Sequence, residues 1–151
     1  MNTDKSGLLK ALFDDEKSEE DNFGRDINDS RQDINRITER IIGCSYTVSN
    51  TLGCGFLEKV YENALAHELK KVGFEVLQQH PVKVFYDGIT VGEYVADLFV
   101  EGCVIFELKA LKELEDSHIS QCLNYLKATG IKIGLLINFG KPRVEIKRVA
   151  L

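Results

Sequence analysis

The sequence is poor in proline, with two in 151 residues, and has no internal repeat. With twelve glycines spread along the chain, this excludes a fibrous or low-complexity protein. Long apolar runs are missing too. None approaches the roughly 20 residues that cross a bilayer, so no membrane partner is expected. The leading Leu8-Leu9-Lys10-Ala11-Leu12-Phe13 is short, runs straight into acidic residues and lacks a small-residue cleavage site. Secretion is therefore not expected. Cys44, Cys54, Cys103 and Cys122 form no Cys-x-x-Cys pair, and their spacing fits neither a zinc site nor a disulfide framework. They read as buried thiols of a reducing cytoplasm. His67, His80 and His118 lack metal-ligand spacing, and there is no glycine-rich phosphate loop and no Ser/His/Asp arrangement.

A strong basic excess is also absent. The net charge is −5, and residues 1–33, with ten Asp/Glu against five Lys/Arg, carry all of it. Residues 34–151 hold fourteen of each sign and are neutral. Composition alone therefore neither demands nor forbids a nucleic-acid partner. The acidic stretch from Asp14 to Asn22 has no apolar periodicity, so residues 1–33 are expected to be a solvated, disordered tail. Only Leu8, Leu9, Leu12 and Phe13 could dock, as a short helical turn. The remainder, 44% hydrophobic and 28% charged over the whole chain, suits one globular domain over residues 34–151.

Within that domain, Ile34, Ile37, Ile41, Ser45, Val48 and Leu52 recur at helical spacing behind Asp33 as N-cap, and Gly53 ends the run. A second helix carries Leu57, Val60, Tyr61, Ala64, Leu65 and Leu69 on its apolar side and stops at Gly73. The pattern then alternates. Phe74–Gln79 and Val82–Tyr86 read as extended, separated by Pro81, and Asp87-Gly88 is a hairpin turn. Ile89–Val100 and Val104–Ala110 are further strands around Glu101-Gly102. Ile119, Leu123 and Leu126 mark a helix capped by Asp116 or Ser117 and ended by Gly130. Lys132–Phe139 is apolar enough for a strand buried on both faces, and Arg143–Ala150 reads as a more exposed one. The order is α-α-β-β-β-α-β-β.

The chemistry concentrates in two of these strands. Residues two apart share a strand face, so Glu107 and Lys109 lie with Ile105, and Asp97 with Val95 and Phe99. A charge set among apolar residues has to be paired, exposed or bound to a metal. If the strands are neighbours, Asp97 and Glu107 converge on one hard divalent ion, Mg²⁺ or Mn²⁺. The Leu108 carbonyl could add an oxygen, and Lys109 could hold water or a phosphate oxygen. A Glu-x-Lys pair on an exposed strand is otherwise only a solvated pair. What sharpens the reading is an Asp ten residues upstream across a tight turn.

Asp97 followed by Glu107-Leu108-Lys109 is similar to the Asp…(Asp/Glu)-x-Lys signature of the PD-(D/E)XK phosphodiesterases. Gly55-Phe56-Leu57-Glu58-Lys59-Val60-Tyr61 resembles the motif of the GxxExxY branch, and Gln121-Cys122-Leu123-Asn124-Tyr125 resembles the superfamily's later Gln-x-x-x-Tyr element. The four elements fall in the expected order across residues 34–151. The resemblance implies a restriction-endonuclease-like α/β core, a central mixed sheet flanked by helices. It also implies metal-dependent cleavage of nucleic acid, DNA before RNA. Asp97 and Glu107 become metal ligands, Lys109 the catalytic lysine, Gln121 an orienting group and Glu58 an additional acid. Glu58 can equally be a helix-start carboxylate. Gly55 suits a tight helix entry, and Tyr61 and Tyr125 suit core positions with bonded hydroxyls. His118, nearly a turn before Gln121, could approach the site.

Basic residues cluster only modestly, at Lys141-Pro142-Arg143, Lys147-Arg148 and Lys109 with Lys112, and no separate DNA-reading domain is visible. This argues against sequence-specific cleavage. The alternative is a catalytically inactive module that binds nucleic acid or protein. A third option is another phosphoester substrate. A homo-oligomer stays open, and the acidic tail is placed to compete with nucleic acid for the basic edge.

Overall fold

A computed structural model describes residues 31–151. All but three residues of the expected tail, and with them the docking turn at Leu8–Phe13, lie outside the described residues. Residues 31–52 are helical and form α1. Asp33 is therefore inside a helix rather than at its N-cap, because the helix is already running at residue 31. Compact packing divides the chain at Ile37/Thr38, and the larger unit, from Thr38 to Leu151, carries everything that follows.

In that unit α1 buries Ile41, Cys44, Ser45, Val48 and Ser49 along one stripe. Helix α2 is Glu58–Lys71, followed by the long hairpin of β1 (Val76–Tyr86) and β2 (Ile89–Val100). Strand β3 (Val104–Lys109), helix α3 (Asp116–Thr129) and strands β4 (Ile133–Asn138) and β5 (Glu145–Ala150) complete it. The element order matches the expectation. The sheet order is β1-β2-β3-β4-β5, with β3 and β4 parallel and the other pairs antiparallel. Such a parallel pair needs a crossover, which α3 supplies.

Every residue of β4, and all of β3 except Lys109, is buried, so both faces of the sheet centre are covered. On one face Tyr125 of α3 packs with Val82, Ala96 and Ile105. The helix comes so close that a Cβ on Gly134 would lie 2.8 Å from Cys122 Sγ. Both hairpin turns use left-handed residue pairs, Asp87 (φ 51°) with Gly88 (74°) and Glu101 (53°) with Gly102 (63°).

Pro81 does not divide the first strand, which runs unbroken from Val76 to Tyr86. β1 is an edge strand, the one sheet position where a missing N–H is tolerated. Helix α3 is capped by Glu115, not Asp116 or Ser117, since the Glu115 N–H donates to His118 Nδ1 at 3.0 Å. Of the four thiols only Cys44 and Cys122 are buried, while Cys54 is exposed and Cys103 half-buried. No described helix is long and apolar enough to cross a membrane.

Candidate functional site

The β2–β3 ladder pairs Val100 with Val104, Phe99 with Ile105 and Leu98 with Phe106, and then stops. Where the next pair would form, the strands splay and Asp97 Oδ2 accepts the Leu108 N–H at 2.8 Å. A side chain thus takes over a main-chain acceptor's role. Opposite Asp97, Gln79 of β1 adopts φ 54° and drops out of the register. The strict alternation expected for β2 fails here: Ala96 and Phe99, three residues apart, pack into the same cluster. Asp97 is the residue at which the strand changes faces, so it does not simply follow Val95 and Phe99.

Beside it, Glu107 is 5% exposed, and among the described residues its buried Oε1 has no hydrogen-bond partner. Burial, reinforced by the Asp97 carboxylate and opposed by Lys109, raises its pKa from 4.5 to about 8. The structure therefore brings Asp97 and Glu107 together. Lys109 ends β3 half-buried, its carbonyl accepting the Phe139 N–H at 2.8 Å. Among the described residues its ammonium forms no ion pair.

A third carboxylate comes from α2, and it is Glu62. It is buried and receives hydrogen bonds from Lys59 Nζ (2.7 Å), Gln78 Nε2 (2.7 Å) and Gln79 Nε2. Gln79 Nε2 also lies 3.5 Å from Asp97 Oδ1, so Glu62 reaches the pair through one amide. Glu58, one turn earlier, is exposed and bonds to none of these groups. Sequence reasoning missed Glu62 because a buried polar residue gives no apolar signal. The helix buries Glu62 and Ala66, while Leu57 and Val60, counted on its apolar side, are exposed.

The other motif positions hold the helix entry. Gly55 has φ 113°, open to glycine alone without strain. Tyr61 is fully buried; its hydroxyl donates to Gly53 O at 2.6 Å and accepts the Phe56 N–H at 3.2 Å. Its ring stacks on Phe139 with centroids 4.7 Å apart.

From α3, Gln121 Nε2 donates to the Tyr125 hydroxyl at 3.1 Å rather than to either carboxylate. Burial, followed by the charges of Glu107 and Asp97, pushes the Tyr125 pKa up to about 12, and burial with Glu107 does the same to Cys122. Both residues thus stand within electrostatic reach of the pair. His118 serves the helix cap instead. Behind Lys109, fully buried Asn138 clamps the chain: its Oδ1 accepts the Leu111 and Gly140 N–H groups at 2.9 and 3.0 Å, and its Nδ2 donates to Leu111 O at 3.0 Å.

The donor set fits a hard divalent cation. Two carboxylates share the splay, one with a buried oxygen that no described residue satisfies, and its proton is retained near neutrality unless a cation replaces it. No group of three His, Cys, Asp or Glu side chains is arranged for a metal among the described residues.

No curated protein matches the chain. One solved structure, the crystal structure of SSO0001, is similar at 16% identity and a TM-score of 0.48, over 62% of this chain and 50% of that one. The chain thus spans about half the length of that protein. The sequence profile of the PD-(D/E)XK nuclease superfamily matches residues 35–149, nearly the whole described fold. With a mixed five-stranded sheet in the expected order and a match of that extent, the chain belongs to the PD-(D/E)XK nuclease superfamily.

Proposed function

We propose that this chain hydrolyses phosphodiester bonds of nucleic acid, DNA before RNA, with Mg²⁺ or Mn²⁺ as cofactor. We place it in the GxxExxY branch on the strength of Gly55, Glu58 and Tyr61. The observation that carries the reading is the unpartnered, buried Glu107 oxygen beside Asp97.

Asp97 and Glu107 would hold the cation, which when bound supplies Lewis acidity at the phosphate and makes water more acidic. On loading, Glu107 would give up its proton and Asp97 would keep its bond to the Leu108 N–H, which fixes the carboxylate's direction. Lys109 carries a positive charge at the end of the same strand and forms no ion pair among the described residues, placed to hold a phosphate oxygen or the attacking water. Gln79 positions Asp97 and is itself held by Glu62. Glu62 therefore supports the pair from α2, one turn after the Glu58 expected as an additional acid. Gln121 acts through the Tyr125 hydroxyl at the rim.

The test is Mn²⁺ calorimetry on the full chain, with cleavage of single- and double-stranded DNA and RNA alongside. One site lost in both Asp97→Asn and Glu107→Gln, with cleavage lost in parallel, is the expected result. Nucleic-acid binding without cleavage in either metal overturns hydrolysis and leaves a binding module.

A further inference from the structure

The β1–β2 hairpin is twice the length of the other strands, 11 and 12 residues against 6, and its far half extends past the end of β3. Between this arm and α3 runs a groove of 1120 Å³, larger than the roughly 300–1,000 Å³ of small-molecule sites. A second hollow of 380 Å³ continues it along the helix, sharing Phe85 and Ala128 as walls. Gln121 and Tyr125 form the groove's wall nearest the carboxylates.

Among the residues lining either hollow there is no Asp or Glu, while Lys83, Lys127, His80 and His118 are among them. The groove's aromatic walls are accessible: Phe85 is 61% exposed and Tyr94 49%. Tyr94 is braced by the Tyr125 ring at 5.6 Å. Two lysines are few for gripping a duplex, whose recognition rests on many phosphate contacts. Aromatic faces beside sparse cations suit a strand whose bases are unstacked and free to lie on the rings.

We infer that the groove between the β1–β2 arm and α3 binds single-stranded nucleic acid, with bases on Phe85 and Tyr94 and the backbone along Lys83 and Lys127, and leads the strand to Asp97 and Glu107. The inference rests on the proposed nuclease reading and adds the substrate class. The arm and helix hold the strand on the side that Gln121 and Tyr125 line.

The experiment is fluorescence anisotropy of the full chain with labelled dT12 and with a 12-base-pair duplex, in EDTA so that nothing is cleaved. The single strand is expected to bind at least ten-fold tighter. Phe85→Ser should weaken it about ten-fold, the worth of one base stack. Lys127→Gln should weaken it several-fold and flatten the salt dependence. Both residues are exposed, so melting temperatures should not move. In Phe85→Trp, the tryptophan emission should be quenched as dT12 saturates the protein. Equal or tighter duplex binding, indifference to Phe85→Ser, or unquenched emission in the saturated complex overturns the inference. Cleavage in Mn²⁺ separates the two readings. A chain that cleaves but shows no single-strand preference loses the groove alone. A chain that binds dT12 through Phe85 but cleaves nothing keeps the groove and loses the nuclease.

Discussion

Asp97 Oδ2 and the Leu108 N–H, 2.8 Å apart, close the end of the β2–β3 ladder where no main-chain acceptor is left. On the proposed reading one carboxylate serves both the fold and the site, and two substitutions separate the roles. Asp97→Asn retains an acceptor for Leu108 and should keep the melting temperature within a few degrees while losing Mn²⁺ binding and cleavage. Asp97→Ala orphans a half-buried N–H and should cost about 1–3 kcal/mol in addition. Thermal denaturation beside calorimetry distinguishes them, and equal stability of the two variants would remove the structural role.

Glu107 makes the metal-free protein sensitive to alkali. Its folded pKa of about 8 lies above the ordinary 4.5, so the folded state holds the proton more tightly than the unfolded chain. The corresponding stability is complete below about pH 4.5 and is lost as pH rises toward 8. Denaturant titrations in EDTA should show that decline, on the order of a few kcal/mol, and Glu107→Gln should abolish it. Mn²⁺ should reverse the trend, binding more tightly as pH approaches 8 and releasing a proton below it. Parallel pH profiles for wild type and Glu107→Gln would refute this.

Glu62 and Glu58 should behave differently although they sit one turn apart. Glu62→Ala strips a buried acceptor from Lys59, Gln78 and Gln79, and should cost about 2–3 kcal/mol while weakening Mn²⁺ binding through Asp97. Glu58→Ala, on an exposed first turn, should cost less than about 1 kcal/mol and leave Mn²⁺ affinity unchanged. A larger loss of metal affinity at Glu58 would reverse the assignment.

Tyr61→Phe removes the hydroxyl bonds to Gly53 and Phe56 and keeps the stack on Phe139. A destabilisation of about 1–2 kcal/mol with unaltered Mn²⁺ affinity is expected. Gly55→Ala, forced to φ 113°, should lose at least about 1 kcal/mol. Loss of metal binding in folded Tyr61→Phe would make the tyrosine part of the site.

Much of this was legible before any coordinates, and the reasons are local. Apolar periodicity marks the buried β4, and paired turn residues fix both hairpins, so β2 begins and ends where its sequence indicates. Asp97 and Glu107 stand out because carboxylates are costly among valines and leucines. Glu62 does not, because its satisfaction depends on two glutamines from a strand 16 and 17 residues away. The face change at Asp97 was equally hidden, since it follows from a left-handed Gln79, a residue with no particular preference for that conformation. Pro81 misled for the opposite reason. Its local signal is real, but a sheet edge absorbs it.

The Asn138 clamp has a consequence for how such a protein can diversify. It ties residues on both sides of the Lys109 exit to one buried amide, and a Cβ on Gly140 would fall 2.2 Å from Leu111 O. Insertions or side-chain changes there would dislodge the chemistry with them. The hairpin arm opposite carries no such constraint, since its tip at Asp87-Gly88 is exposed and distant from the carboxylate splay. The clamped turn is in effect frozen and the tip of the arm free to vary. New substrate preferences should therefore arise by rewriting the arm, with the reaction itself left untouched.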